Sequence, residues 1–255
     1  MDNPTEQTEK PQPNTDDKYL KGIIKKDDGF LAYYFSAQLA YYLVQATKKL
    51  SLRPNHFTAI SLVLGLLAAG FFSMGDYTSL VIGVIVLNIS FICDCADGQL
   101  SRLKGLQSKM GHWFDYHSDK LKDGALLLGL AYGAFINSGS TLWWIFVIVF
   151  AAIFFQFMRN ITALNRDNFK LEQEGKKDKA HSLFKASGKN QLFVTLKNSA
   201  LFKLSDRVLL FTAFVLLDQV VIGLVVYAAL ELFFSSMSAF INYKTFSRFD
   251  KKNNS

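Results

Sequence analysis

Residues 124–158 read GALLLGLAYGAFINSGSTLWWIFVIVFAAIFFQFM, a run of 35 without a single charge. A helix needs about 20 apolar residues to cross a bilayer. The run is therefore too long for one span and fits two, with Asn137-Ser138-Gly139-Ser140 as the turn between them. The same reading applied outward finds further uncharged runs over 56–75, 77–93, 208–217 and 219–243, the last broken only by Glu231. The expected fold is all-α and membrane-integral, with six transmembrane helices near 55–74, 78–101, 112–136, 141–162, 200–217 and 220–243.

Half of the 255 residues are apolar, 19% are charged, and 24 Phe make the chain strongly aromatic, which excludes a disordered protein. The two cysteines, Cys93 and Cys95, are i and i+2, and cannot pair on one helix. A net charge of +7 raises the question of nucleic acid, and the positions of the 28 basic residues answer it. Eight precede the first helix, five lie in 102–122, eleven in 159–207 and four from Lys244 on, while the turns at Asp76, Ser138 and Asp218 carry none. By the positive-inside rule both termini and the two long loops are cytoplasmic. The excess charge reads as orientation and attraction to lipid headgroups, with no nucleic-acid partner.

The expected organisation is a disordered cytoplasmic tail over 1–28, a juxtamembrane helix over 29–53 lying in the cytoplasmic interface, the six-helix domain over 54–245, and a cytoplasmic tail over 246–255. The stretch 29–47 is uncharged and long enough to cross, but it carries four tyrosines, two glutamines and a serine, and crossing would strand Lys18, Lys21, Lys25 and Lys26 outside.

Chemistry concentrates in 94–119, DCADGQLSRLKGLQSKMGHWFDYHSD. A carboxylate costs about 2.5–3.5 kcal/mol at the bilayer centre on insertion scales, so four of them near helix ends need partners. Asp94 and Asp97 are i,i+3 and Asp115 and Asp119 are i,i+4, so each pair shares a helix face. A turn near residue 106 makes the two helices antiparallel and brings Asp94 level with Asp119 and Asp97 level with Asp115. The cations Arg102, Lys104, Lys109 and Lys120 are expected to point mostly toward the surface. Hard divalent ions then answer the repulsion, since Mg²⁺ takes carboxylates together with substrate phosphates. Gly98 and Gly111, one turn from Asp94 and Asp115, leave a slot for a ligand. A cation transporter would carry polar groups along its outer half, which here is apolar in the second, third and fourth helices. His117, two residues from Asp115 and from Asp119, faces away from both, and Glu231 is left as protonated, paired in the bundle or on a substrate path.

The pattern Asp94-x₂-Asp97-Gly98-x₂-Ser101-Arg102-x₈-Gly111-x₃-Asp115-x₃-Asp119 resembles the signature of the CDP-alcohol phosphotransferases, departing only at Ser101, where the family usually has alanine. The resemblance implies an integral membrane transferase of phospholipid synthesis, active at the cytoplasmic side and homodimeric, in the inner membrane if the chain is bacterial. It implies two Mg²⁺ or Mn²⁺ ions on Asp94, Asp97, Asp115 and Asp119, with Asp119 also the general base. A CDP-linked lipid would contact Asp97, Gly98, Ser101, Arg102 and Gly111, and a second match, Pro54-Asn55-His56-Phe57-Thr58, adds Asn55 and Thr58. The acceptor is a polar alcohol. Arg159, Lys203 and Arg207 are read as a pocket for a phosphorylated one, inositol phosphate or glycerol phosphate, with serine, inositol, choline or ethanolamine as the unphosphorylated alternatives.

Overall fold

The computed structural model describes residues 36–48, 50–174 and 204–253. The tail expected over 1–28, the start of the juxtamembrane helix and Lys203 lie outside them. Seven helices are described: α1 (Ala37–Thr47), α2 (Pro54–Met74), α3 (Tyr77–Leu103), α4 (Lys109–Asn137), α5 (Ile145–Glu174), α6 (Leu204–Leu216) and α7 (Val220–Asn253). There is no strand among the described residues. Four of them, α2, α3, α5 and α7, are long and apolar enough to cross a membrane, which makes the chain a multi-pass membrane protein.

Local sequence explains the boundaries. Pro54 opens α2, where its missing N–H costs nothing. Gly75, at φ +79°, closes the same helix, and Asp76 caps α3 by accepting the Ser79 N–H at 2.9 Å. That bond holds the exposed Asp76 carboxyl below the usual carboxylate range. Gly105, at φ +63°, follows α3, and Ser108 caps α4 by accepting from Gly111 N at 3.0 Å, so the chain reverses close to the expected residue 106. Gly139 and Ser140 turn the chain toward α5, and Asp218 turns it between α6 and α7, all three at positive φ.

Two helices run past their expected ends. α5 continues to Glu174 and α7 to Asn253, with no break near residue 245. Phe169 packs edge-on against Phe246 and Phe249 at 4.8 and 5.0 Å between ring centroids, so the pair stays joined beyond its apolar spans. α4 is 29 residues long yet does not qualify as a span on apolarity. Its first half carries Asp115, Asp119, Lys120, Lys122 and Asp123, and those charges are used inside the bundle.

α2 packs on both α3 and α4, α5 pairs with α7, and α6 bridges α3 and α7. In lipid, apolar surface gives helices little reason to associate, and close approach and polar pairs take over. Gly129 and Gly133 provide the approach: a Cβ at either would meet the carbonyl oxygen of Ala69 at 2.4 Å or of Phe72 at 2.1 Å. Polar pairs include Asn88 with Thr212 at 3.1 Å and Asn242 with the Thr162 carbonyl at 2.7 Å. One apolar cluster fills the centre of the bundle around Phe72, Leu127, Leu130, Leu224 and Tyr227. A second, under α1, joins Ala40 and Val44 to Phe57, Ala96 and Leu100 beside the aspartates. Gln99 donates to the Ala37 carbonyl at 2.9 Å, tying α1 to α3.

Candidate active site

Three helices build the site. α3 carries Asp94 and Asp97, α4 carries Asp115 and Asp119, and the first turns of α2 bring Asn55, Thr58 and Ser61 against them. Oxygens of Asp94, Asp97 and Asp115 lie within 4.8 Å of one another. Thr58, buried, donates to Asp97 Oδ2, and Ser61 donates to Asp94 Oδ1 at 3.3 Å, so both α3 carboxylates are fixed from α2. Three converging carboxylates with hydroxyl support form an all-oxygen donor set, which fits a hard divalent ion such as Mg²⁺ or Mn²⁺.

Beside this group opens a cleft of about 540 Å³. Asn55, Thr58, Asp97, Gly98, Ser101, Arg102 and Gly111, the residues expected to meet the CDP moiety, all line it, and Asp115 joins them. The two glycines shape the opening: a Cβ at Gly98 would lie 3.3 Å from the Arg102 guanidinium, and one at Gly111 would lie 3.4 Å from Asn55 Oδ1. His112 also lines the cleft, whereas His117 folds back on its own helix, its Nδ1 2.8 Å from the Trp113 carbonyl.

Asp119 does not join the three-carboxylate group. It is ion-paired with Lys122 at 3.0 Å, and Lys122 also reaches Asp94 at 2.6 Å. The expectation that local cations point toward the surface therefore overlooks Lys122, which is 3% exposed and turned inward. Its spacing gives it away, because Asp115, Asp119 and Lys122 are i, i+4 and i+7 on one helix face.

Two of the basic residues read as an acceptor pocket, Arg207 and Arg159, have partners inside the bundle. Arg207 is bonded to Asp123 Oδ2, which Gln156 also reaches at 2.9 Å. Arg159 pairs with Glu231 at 3.0 Å, so Glu231 is the partner of a buried guanidinium. Asp123 and Gln156 did not figure in the sequence reading, since a carboxylate and an amide 33 residues apart share no pattern. Lys120 stands 4.0 Å from Asp123 and is about one-third exposed, at the edge of this network.

With this geometry in view, comparisons with known proteins give a consistent answer. The family model for CDP-alcohol phosphatidyltransferase matches residues 51–217. An archaetidylinositol phosphate synthase of Pyrococcus horikoshii is 32% identical over 88 residues, 34% of this chain and 45% of that protein. A bifunctional IPC transferase and DIPP synthase of Thermococcus kodakarensis is 29% identical over 126 residues, 49% of this chain and 27% of that protein. The matched stretches thus span less than half the length of these curated relatives. The crystal structure of the Mycobacterium tuberculosis phosphatidylinositol phosphate synthase with CDP-DAG bound superposes with a TM-score of 0.58 at 14% identity, covering 82% of this chain and 94% of that one. A second structure of that synthase, in complex with manganese and citrate, gives 0.57 over 82% and 89%. Its identity is low and speaks for the fold alone, but the family model covers well over half of the residues, and the chain belongs to the CDP-alcohol phosphatidyltransferase family, a family of transferases.

Proposed function

We propose that the chain moves a phosphatidyl group from a CDP-linked lipid, CDP-diacylglycerol in the first instance, to the hydroxyl of a phosphorylated polyol, with release of CMP. The observation that carries this reading is the cleft itself, in which seven signature and flanking residues open directly onto the carboxylates of Asp97 and Asp115. Asp94, Asp97 and Asp115 would hold Mg²⁺ or Mn²⁺, which supplies charge neutralisation at the diphosphate when bound. Arg102 reaches toward the Cβ position of Gly98 and offers a guanidinium fork to a phosphate oxygen. Asn55, facing Gly111, offers an amide to the base or ribose.

Asp119 serves as general base. It takes the proton of the acceptor hydroxyl, whose oxygen forms a bond to the lipid-side phosphorus while the bond to CMP breaks. The ion pair with Lys122 at 3.0 Å holds Asp119 in place for that task.

Inositol phosphate is the first acceptor, supported by the names of the Pyrococcus and Mycobacterium relatives, and glycerol phosphate the second. Arg159 and Arg207 remain the phosphate-binding candidates. Each guanidinium must divide its donors between its carboxylate partner, Glu231 or Asp123, and the incoming phosphate. The test is CMP release and lipid product from purified protein, CDP-diacylglycerol and Mg²⁺ with each acceptor in turn. Product with inositol phosphate supports the reading, and turnover only with serine, inositol, choline or ethanolamine refutes the phosphorylated acceptor.

The six-span topology with cytoplasmic termini belongs to the same proposal, supported by the charge distribution, as do the homodimer and the cytoplasmic face of the site. After replacement of Cys93 and Cys95, cysteines at Thr141 and Gln219 should label only from outside and one at Gln107 only from the cytosol. Labelling of Gln107 from outside would reverse the orientation.

A further inference from the structure

Lys122 is placed by three oxygens. Its Nζ lies 2.6 Å from Asp94 Oδ1, 3.0 Å from Asp119 Oδ1 and 2.8 Å from Ser61 Oγ. An ammonium has three N–H donors, and three oxygens on three different turns surround this one. The stem reaches the position along a notch in α2: a Cβ at Gly65 would lie 2.7 Å from Lys122 Cγ and 2.8 Å from Cδ. A side chain that is 3% exposed and ends in a charge persists only where that charge is paired. Here the pairing joins α4 to α3 and ties Asp119 to Asp94, the one carboxylate of the three-carboxylate group that Lys122 reaches.

We infer that the Lys122 ammonium is a built-in cation of this site, taking up the Asp94 and Asp119 oxygens that a second divalent ion would need, so that the chain binds one divalent ion and not two. The inference rests on the transfer reading above and departs from the two-ion site that the family resemblance implies. The chemistry is that of a shared bridge. A second ion on those two oxygens would compete with the ammonium for the same lone pairs and stand beside a like charge in a poorly screened interior. Asp94, Asp97 and Asp115 keep oxygens facing one another for the single ion that remains. Held by hydrogen bonds to Ser61 and Asp94 and by the ion pair to Asp119, Lys122 acts through Asp94 and Asp119 as a positioning residue.

Metal stoichiometry decides the matter without reference to turnover. Purified full-length protein in detergent is titrated with Mn²⁺, and free and bound ion are read by electron paramagnetic resonance. The wild type should bind one Mn²⁺ per chain. Lys122→Met, which keeps the stem, and Lys122→Ser, which opens the space, should each bind two, the second Mn²⁺ broadening the spectrum by coupling to the first. Asp119→Asn on the wild-type background should still bind one, with affinity within about threefold, whereas a two-ion site would lose an ion or weaken markedly. Two Mn²⁺ in the wild type overturns the inference and leaves the transfer reading intact, as does one Mn²⁺ in folded Lys122 variants. Loss of the ion in Asp119→Asn also overturns it, and that arm stands even if the Lys122 variants do not fold. No Mn²⁺ bound by the wild type overturns the metal assignment beneath it as well.

Discussion

Replacing Asp123 by leucine removes the carboxylate that holds Arg207, and the loss is set by what stays behind. Both side chains are less than a tenth exposed, and Asp123 Oδ2 accepts from Arg207 and from Gln156. Leucine keeps the branched shape and is bulkier than aspartate, so no cavity forms. The stranded guanidinium is the cost, about 3–5 kcal/mol for breaking a buried pair from one side. With roughly 2–4 °C per kcal/mol for a chain of this size, Asp123→Leu should lower Tm by about 6–20 °C. Arg207→Met should do the same by stranding the carboxylate. The double variant removes both charges and should melt within about 4 °C of wild type, because an apolar pair of similar volume replaces a buried ion pair at little or no net cost. Tryptophan fluorescence during heating in detergent micelles measures all four proteins. Losses that simply add in the double variant would refute the idea that the pair is a self-contained unit. The same protein tests the acceptor proposal: if Arg207 binds the acceptor phosphate, the double variant regains its Tm but not its turnover.

Three further outcomes are expected. Asp119→Asn removes the base and should lower turnover by two or more orders of magnitude while CDP-lipid binding, read by isothermal titration, survives; near-normal turnover would take the base role from Asp119. Gly98→Ala meets only the mobile end of Arg102 at 3.3 Å, so Tm should hold or rise with the helix propensity gained, about 1 kcal/mol at most, while KM for the CDP-lipid increases several-fold. Gly133→Ala places a Cβ 2.1 Å from the Phe72 carbonyl oxygen, which cannot swing aside, and should cost at least the 1–3 kcal/mol typical of overpacking; Gly124→Ala, with nothing within 4 Å of the added carbon, is its neutral control.

Much of the architecture was legible because lipid and water sort residues so sharply. Uncharged runs marked α2, α3, α5 and α7, and the glycine, serine and aspartate turns at 75–76, 105–108, 138–140 and 218 fell where the runs ended. Legibility failed where a charge has a private partner. The uncharged second half of α4 marks it as a helix in the sequence, but the inward roles of Lys122 and Asp123 do not show, because no window of sequence can see Ser61, Asp94 or Arg207 across the bundle. The extensions of α5 and α7 escaped for the complementary reason. Their polar ends are held by aromatic contacts of Phe169 with residues some 80 positions away. In the cleft the signature spacing was sufficient, since Asp97, Gly98, Ser101 and Arg102 lie on one helix and need only that helix to be straight.

The rotation of α4 links these observations. Asp115, Asp119, Lys122, Leu126, Gly129 and Gly133 follow one another by four and three residues, a single stripe down the helix. At one end of the stripe Asp115 meets the α3 carboxylates. In the middle Lys122 slides past Gly65, and at the far end Gly129 and Gly133 press on the carbonyls of Ala69 and Phe72. α2 therefore runs parallel to α4 in one register from Asn55 beside Gly111 to Gly75 beside Gly133. Asp123, the next residue after Lys122, points about 100° away and engages α5 and α6 through Gln156 and Arg207. A turn of α4 about its axis would have to break the glycine contacts on one side and a buried ion pair on the other. The site needs its carboxylates held to a fraction of an ångström, and the two locks, one steric and one electrostatic, hold the helix that carries half of them.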